Sequence, residues 1–445
     1  MKTNQQINRR FFIKTGATLA AGAALPAWFI EESRLFAAEA PPPSANDKPN
    51  IALIGCGGQG RNDTNLATKF ANVIAVCDVD AKHGEAASKQ FGGARIYNDF
   101  RKLLERSDLH AIINGTPDHW HTLVNIAAVR AGKDVYSEKP LTLTIDEGKH
   151  LVAEVKKAKR VFQTGSQQRS DPRFRLACEL VRNGRLGKLQ NVITSLPAGP
   201  RRGPFKTAPV PAGLDWNFWQ GQAPERDYVP ERCHSSFRYW YEYSGGTMTD
   251  WGAHHNDIAL WGIGLERSGP TTIEGRQTVE PIPGGFTAAS EYRVNYTYAN
   301  GVKHTCQSVA TEDGSGRKLA EPKPGEFPNG VRFEGPDGWI FVTRGKIEAS
   351  DPALLAQPLG SDAVKLYVSN NHMGNFFDCI RSRQQPVCEA EIGHRSVSVC
   401  HLGVLAIRLG RKLQWDPAKE MFVNDREASG MVAREMRKPW GYDAV

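Results

Sequence analysis

With 445 residues, 40% of them hydrophobic, the chain is longer than one hydrophobic core usually serves, so two domains are expected. The formal charge of +8 falls to +6 beyond residue 40, and no basic block is interleaved with aromatic residues, which argues against nucleic-acid binding. Eight cysteines lack regular spacing, and Cys56 and Cys77 fall in a glycine loop and a buried strand, so they read as mainly free thiols.

Asn8-Arg9-Arg10-Phe11-Phe12-Ile13-Lys14 has the form of a twin-arginine export motif and precedes an Ala/Gly-rich apolar stretch over 15–30. That stretch carries two glycines and a proline within 16 positions, short for a membrane-spanning helix. Ala38-Glu39-Ala40 offers a small-x-small cleavage site, and Pro41-Pro42-Pro43 opens a stiff linker. The expected organisation is a twin-arginine signal peptide over 1–40 and a Pro-rich linker over 41–49, with the protein periplasmic or otherwise exported by the twin-arginine machinery.

From Asn50 short apolar runs alternate with helical patterns, the rhythm of a parallel sheet covered on both faces. Strands are predicted at 51–54, 73–77, 111–113, 135–136 and 161–163, and helices near 62–70, 82–91, 121–131 and 145–159. The last of these helices opens with Thr144-Ile145-Asp146-Glu147, a capping-box pattern. This defines a dinucleotide-binding domain over 50–165. Beyond it, a helix near 172–183 gives way to strands without regular intervening helices, a second domain over 166–445. Tyr292, Val294, Tyr296 and Tyr298 alternate onto one strand face, and Asn300-Gly301 predicts a type I′ hairpin. A further strand is expected at 340–342, a surface insertion over 312–330, and helices over 375–383 and 396–409.

Gly55-Cys56-Gly57-Gly58-Gln59-Gly60 follows the first strand and opens a helical segment, the context a GxGxxG dinucleotide loop requires. Gly55 permits the tight turn, Gly57 admits the pyrophosphate, and Gly60 lets helix and strand pack closely, while the helix N-terminus offers unpaired donors. Asp78, eighteen residues past Gly60, ends the second strand, where a carboxylate binds the adenosine ribose hydroxyls. This favours NAD and leaves NADP open, with Arg61 near enough to serve a phosphate.

Three stretches carry the chemistry: Thr116-Pro117-Asp118-His119-Trp120-His121, Glu138-Lys139-Pro140, and the segment from Gly245 to Asp257. The first two lie at carboxyl ends of parallel strands, the edge where such sheets bind ligands. In the third, Asp250, His254 and Asp257 are spaced i, i+4 and i+7 on one helix face. Oxidising a secondary alcohol needs a base for the hydroxyl proton and a donor for the developing negative oxygen; a histidine with a pKa near working pH and a lysine suit those tasks.

With these motifs in order, the sequence resembles the glucose-fructose oxidoreductase and inositol dehydrogenase family, Gfo/Idh/MocA, from Asn50 to the C-terminus. The resemblance implies a Rossmann domain followed by an α/β domain with a large, mostly antiparallel sheet, and a homo-oligomer. It also implies Lys139, Asp250 and His254 as catalytic residues, with His254 as the base. Gly55, Cys56, Gly57, Gly58, Gln59, Gly60, Asp78, Thr116, Pro117, His121, Glu138 and Lys139 are expected at the cofactor. Trp120, Arg169, Arg238, Tyr241 and Asp257 are expected at a carbohydrate substrate. The expected activity is oxidation of a secondary hydroxyl of a sugar, glycoside or inositol with a tightly bound, recycled nicotinamide. The alternatives are redox-assisted glycoside cleavage through a transient keto sugar and a sugar-binding protein that has lost catalysis. A metal centre among His119, His121, Asp250, His254, His255 and Asp257 is disfavoured, because neighbouring residues such as His254 and His255 face different ways; Cys233 and His234 could contribute but read rather as loop residues.

Overall fold

The computed structural model of the protein describes residues 25–36, 48–309 and 327–445. The twin-arginine motif, the Ala38-Glu39-Ala40 site, Pro41-Pro42-Pro43 and most of the 312–330 insertion lie outside the described residues.

Six parallel strands form the first sheet: β1 Asn50–Ile54, β2 Asn72–Cys77, β3 Arg95–Tyr97, β4 Ala111–Asn114, β5 Asp134–Ser137 and β6 Phe162–Thr164. Their order is β3-β2-β1-β4-β5-β6, the doubly wound arrangement expected. β4 and β5 are buried along their whole length, and β1 from Ile51 onward, because helices cover both faces. β3 escapes a pattern search because it is a three-residue edge strand with partly exposed side chains.

The second sheet holds β7 Asn191–Pro197, β8 Thr272–Gln277, β9 Tyr292–Thr297, β10 Lys303–Val309, β11 Gly330–Gly335, β12 Gly338–Thr343, β13 Lys346–Ala349, β14 Leu413–Asp416 and β15 Met421–Phe422. Their order is β13-β12-β11-β7-β10-β9-β8-β14-β15, and only β7 and β10 run parallel. β9 alternates buried and exposed residues, and its Tyr face packs under the helices Gly252–Ile263 and Ala390–Leu409. Only Gly301 of the predicted hairpin dipeptide has a positive φ, +86°, and its N–H donates to the Tyr298 carbonyl. The connection is therefore a type I turn closed by a glycine bulge, not a type I′ turn.

Thr144 caps the helix Ile145–Ala158 by accepting from Glu147 N at 3.2 Å, while the Glu147 carboxylate accepts from Leu143 N at 2.8 Å. All eight cysteines are buried and free.

Helix Ala27–Phe36, which falls inside the segment read as a removable signal, docks on the second domain. Phe29 is fully buried, with the Arg175 guanidinium 4.2 Å from its ring centroid, and Arg175 donates to Ser33 Oγ. Trp28 Nε1 donates to the Leu355 carbonyl at 3.2 Å, and Lys365 pairs with Glu32 at 2.8 Å. This helix forms part of the second domain's main core, so removing residues 1–40 as one piece would take a packed element with it.

Candidate functional site

A cleft of about 370 Å³ lies at the carboxyl edge of the parallel sheet, between the two domains. The fingerprint loop forms its floor. Gly55 sits at φ +86°, where a Cβ would stand 2.4 Å from Thr116 N, so no other residue fits the turn. Gly60 abuts the Gly55 carbonyl just as tightly, which brings the helix Gly58–Ala67 onto the sheet. At Gly57 and Gly58 a Cβ would meet nothing within 4 Å, and Gly57 precedes the helix without any side-chain cap. Free first-turn donors thus face open space at the positive end of the helix dipole, a phosphate cradle.

Asp78 lines the cleft, where its Oδ2 accepts from Cys56 N at 2.7 Å and its Oδ1 from Asp80 N at 2.8 Å. It anchors the glycine loop while offering negative charge toward the ribose position. Thr116, Pro117 and Gln59 also line the wall. The sequence reading missed Gly115, whose Cβ would stand 2.5 Å from Gly60 Cα, together with His83; Phe237 and His234 line the wall as well. Gly115 follows β4 directly, a signal that was legible; the others reach the cleft only through tertiary packing.

Several expected contacts lie elsewhere. His121 is buried, with Nδ1 2.7 Å from the Pro140 carbonyl and Nε2 2.8 Å from the Thr116 carbonyl, so it braces the two loops against each other rather than touching a cofactor. Burial holds its pKa down at about 4 despite both carbonyl contacts. Glu138 is also buried, accepting from Gln167 Nε2 at 2.8 Å, and faces Asp63 behind the loop. Burial first, then the neighbouring Glu138 charge, drives the Asp63 carboxyl upward. Cys56 contributes its backbone N–H, and its thiol points back to the Cys77 carbonyl.

Lys139 and Asp250 come together. Lys139 Nζ lies 2.6 Å from Asp250 Oδ1, and Arg238 Nε approaches the same oxygen at 3.4 Å. Burial alone would raise the Asp250 carboxyl, but Lys139 and Arg238 outweigh it and hold the group ionised below its ordinary value. Asp250 closes a short helix, Thr247–Asp250, which meets Gly252–Ile263 at Trp251 and carries His254 on the next turn. His254 is buried, and desolvation together with the Lys139 charge pushes its pKa well below the usual histidine range. This departs from the expectation of a pKa near working pH: His254 stands as a neutral imidazole.

Asp118, to which the sequence assigns no role, accepts from Ser244 Oγ, close to Arg238 and Asp250, and burial raises its carboxyl to about 7 against the pull of Arg238.

The expected substrate residues divide. Arg238 lines the cleft. Trp120 also lines it, but beside the cofactor loop, with Nε1 donating to the Trp219 carbonyl at 2.8 Å. Arg169 and Asp257 do not face a substrate: they form a bidentate pair, both contacts 2.7 Å, both residues almost wholly buried, with Trp261 stacked 4.8 Å from the guanidinium. Tyr241 borders a different cavity with Arg408 and Arg434. Of the residues weighed as metal ligands, His119 contacts the Trp219 carbonyl and His255 contacts Asn329 Oδ1, each at 2.9 Å, so they too are engaged elsewhere.

A doubly wound domain with a phosphate-cradling glycine loop, joined to a second domain that brings an aspartate and a histidine to a lysine, defines a two-domain dinucleotide-binding protein. The chain belongs to the Gfo/Idh/MocA oxidoreductase family: residues 49–166 match its NAD-binding Rossmann fold and residues 201–442 its C-terminal alpha/beta domain. Among curated relatives, inositol 2-dehydrogenase 2 of Saccharopolyspora erythraea is 32% identical over 143 residues, 31% of this chain and 42% of the relative. The inositol 2-dehydrogenase/D-chiro-inositol 3-dehydrogenase of Lacticaseibacillus casei is 33% identical over 142 residues, 31% of this chain and 41% of the relative. These matches thus span about two fifths of the relatives' own length. Among solved structures, the WlbA dehydrogenase from Bordetella pertussis in complex with NADH and UDP-GlcNAcA has a TM-score of 0.62 at 18% identity, covering 83% of this chain and 99% of that one. Aldose-aldose oxidoreductase from Caulobacter crescentus has a TM-score of 0.59 at 18% identity, covering 82% and 99%. At such identities the likeness shows the fold.

Proposed function

We propose that this protein is an NAD-dependent oxidoreductase acting on a secondary hydroxyl of a sugar or polyol. One observation carries the reading: the Lys139–Asp250 contact of 2.6 Å stands beside a cleft whose glycine loop, uncapped helix and Asp78 fit a dinucleotide. Family relatives named inositol dehydrogenases and a structural neighbour with NADH and a sugar-nucleotide support it.

When bound, NAD supplies the hydride acceptor. The chain supplies the rest. Lys139, held by Asp250, donates to the reacting oxygen and stabilises its developing negative charge. Neutral His254 accepts the hydroxyl proton, and its desolvation means that it returns the proton readily.

The proposal extends to export through Arg9-Arg10 and to a cofactor retained and recycled in the folded protein, since the twin-arginine route carries folded proteins. A carbohydrate substrate and a homo-oligomeric assembly belong to the same reading. Denaturing untagged protein purified without added nucleotide should release nicotinamide dinucleotide, and a panel of sugars, inositols and glycosides should reduce it in place. Protein that releases none, and reduces none when NAD is supplied, would refute the proposal.

A further inference from the structure

Where the Asp78 end of the cleft opens to solvent, residues of both domains meet. Asp80 caps the helix Ala81–Gln90 through Oδ1, accepting from Lys82 N at 2.9 Å, which leaves Oδ2 facing His234. His83 lies in the first turn of that helix, with Nδ1 3.7 Å from Asp78 Oδ2. From the second domain, His234 brings Nε2 to 3.3 Å from Asp80 Oδ2 and its ring to 4.5 Å from that of His83. One ligand atom from each of Asp80, His83 and His234 lies within 4.8 Å of the others, the sole such grouping among the described residues.

Three further observations bear on what this cluster does. His234 has φ +50°, a left-handed conformation that a residue with a Cβ adopts at a cost and that concentrates at functional sites. The domains are already registered here, with Ala81 N donating to the Gly213 carbonyl at 2.9 Å and Asp215 N to the Val79 carbonyl at 3.0 Å. Two carboxylates face two imidazoles, so the cluster carries a negative field when the rings are neutral. A nitrogen–nitrogen–oxygen set is a usual three-residue ligand set for zinc, with bonds of about 2.0–2.2 Å and a fourth position open. Reaching it from the present spacing needs side-chain movements of roughly 1 Å, available to imidazoles whose side chains are 32% and 42% exposed.

We propose that Asp80, His83 and His234 bind one divalent transition-metal ion of the zinc class, and that the ion staples the two domains across the Asp78 end of the cofactor cleft. The metal site stands on its own geometry; the staple's effect on nucleotide rests on the NAD reading above. An ion held by two residues of one domain and one of the other adds its binding free energy to closure of the cleft, so bound nucleotide leaves more slowly.

The test is calorimetric titration of Zn²⁺ alone into untagged, chelator-stripped full-length protein, with His83→Ala, His234→Ala and Asp80→Asn as variants. Wild type should take up one Zn²⁺ per chain, each histidine variant should weaken that binding by about tenfold or more, and the thermal unfolding of metal-free variants should match wild type. In parallel, Zn²⁺ should slow exchange of bound NAD against labelled NAD in wild type, an effect reversed by chelator and missing in His234→Ala. No uptake by wild type, or uptake indifferent to both histidines, overturns the site. Uptake that leaves exchange unchanged overturns the staple. Zn²⁺ binding is measured whether or not NAD is present, so failure of the cofactor reading is distinguishable from failure of the metal site.

Discussion

Lys139 Nζ lies 2.6 Å from Asp250 Oδ1, a contact made across 111 residues and between two domains. Asp250 therefore fixes where the ammonium points. Asp250→Asn keeps the shape but removes the charge that orients Lys139 and leaves Lys139 and Arg238 facing each other. We expect turnover to fall by about 100-fold or more, in kcat rather than KM, as when a preorganised electrostatic group is lost. Lys139→Ala and His254→Ala should lose turnover with NAD retained. Steady-state kinetics and the nucleotide content of the variants check this, and wild-type rates in Lys139→Ala would remove the lysine from the mechanism.

Asp118 gives the site a pH dependence. Its folded-state carboxyl is raised by burial to about 7, against an ordinary 3.8, so the folded protein binds this proton more tightly than the unfolded chain does. The stability it contributes is fully present below pH 3.8 and is lost as pH rises through about 7. The whole span corresponds to about 4 kcal/mol. Its neighbours are Ser244, Arg238, Asp250 and Lys139. Asp118→Asn should flatten the decline in stability between those limits, measured by denaturant unfolding at a series of pH values; an unchanged slope would show that Asp118 is not the titrating group.

The Arg169–Asp257 pair is structural. Arg169→Met leaves Asp257 buried and uncompensated, at a cost of about 3–5 kcal/mol. Turnover per folded molecule should stay near wild type, with KM unchanged. A large rise in KM with stability intact would instead restore the substrate-binding role first expected of Arg169.

Phe29 ties the N-terminal helix to the second domain. Phe29→Ala should cost about 3–5 kcal/mol, as for a large aromatic removed from a core. A chain beginning at residue 41 should be destabilised relative to one beginning at residue 25, because Arg175 then loses both Phe29 and Ser33. Chemical denaturation compares the two, and intact-mass measurement of the mature protein should find the helix Ala27–Phe36 retained.

Much of the Rossmann half was legible because its signals are local. Strand β1, Gly55, Gly57, Gly60 and Asp78 occupy a single βαβ unit, where apolar runs, turn chemistry and helix-terminus donors act over a few residues. The motif order also located Lys139, Asp250 and His254. By itself the sequence determined the doubly wound sheet, the phosphate cradle and the candidate chemistry. Tertiary structure alone decided which charges meet. The i, i+4, i+7 spacing put Asp257 on the face of His254, yet packing delivered it to Arg169, because a buried carboxylate needs the guanidinium that a distant turn supplies. His121 went to two carbonyls, and His254 became a neutral imidazole through desolvation that no local pattern encodes. His83 and His234, 151 positions apart, became neighbours for the same reason: the contact belongs to the closure of two domains, and neither residue's own stretch of sequence records it.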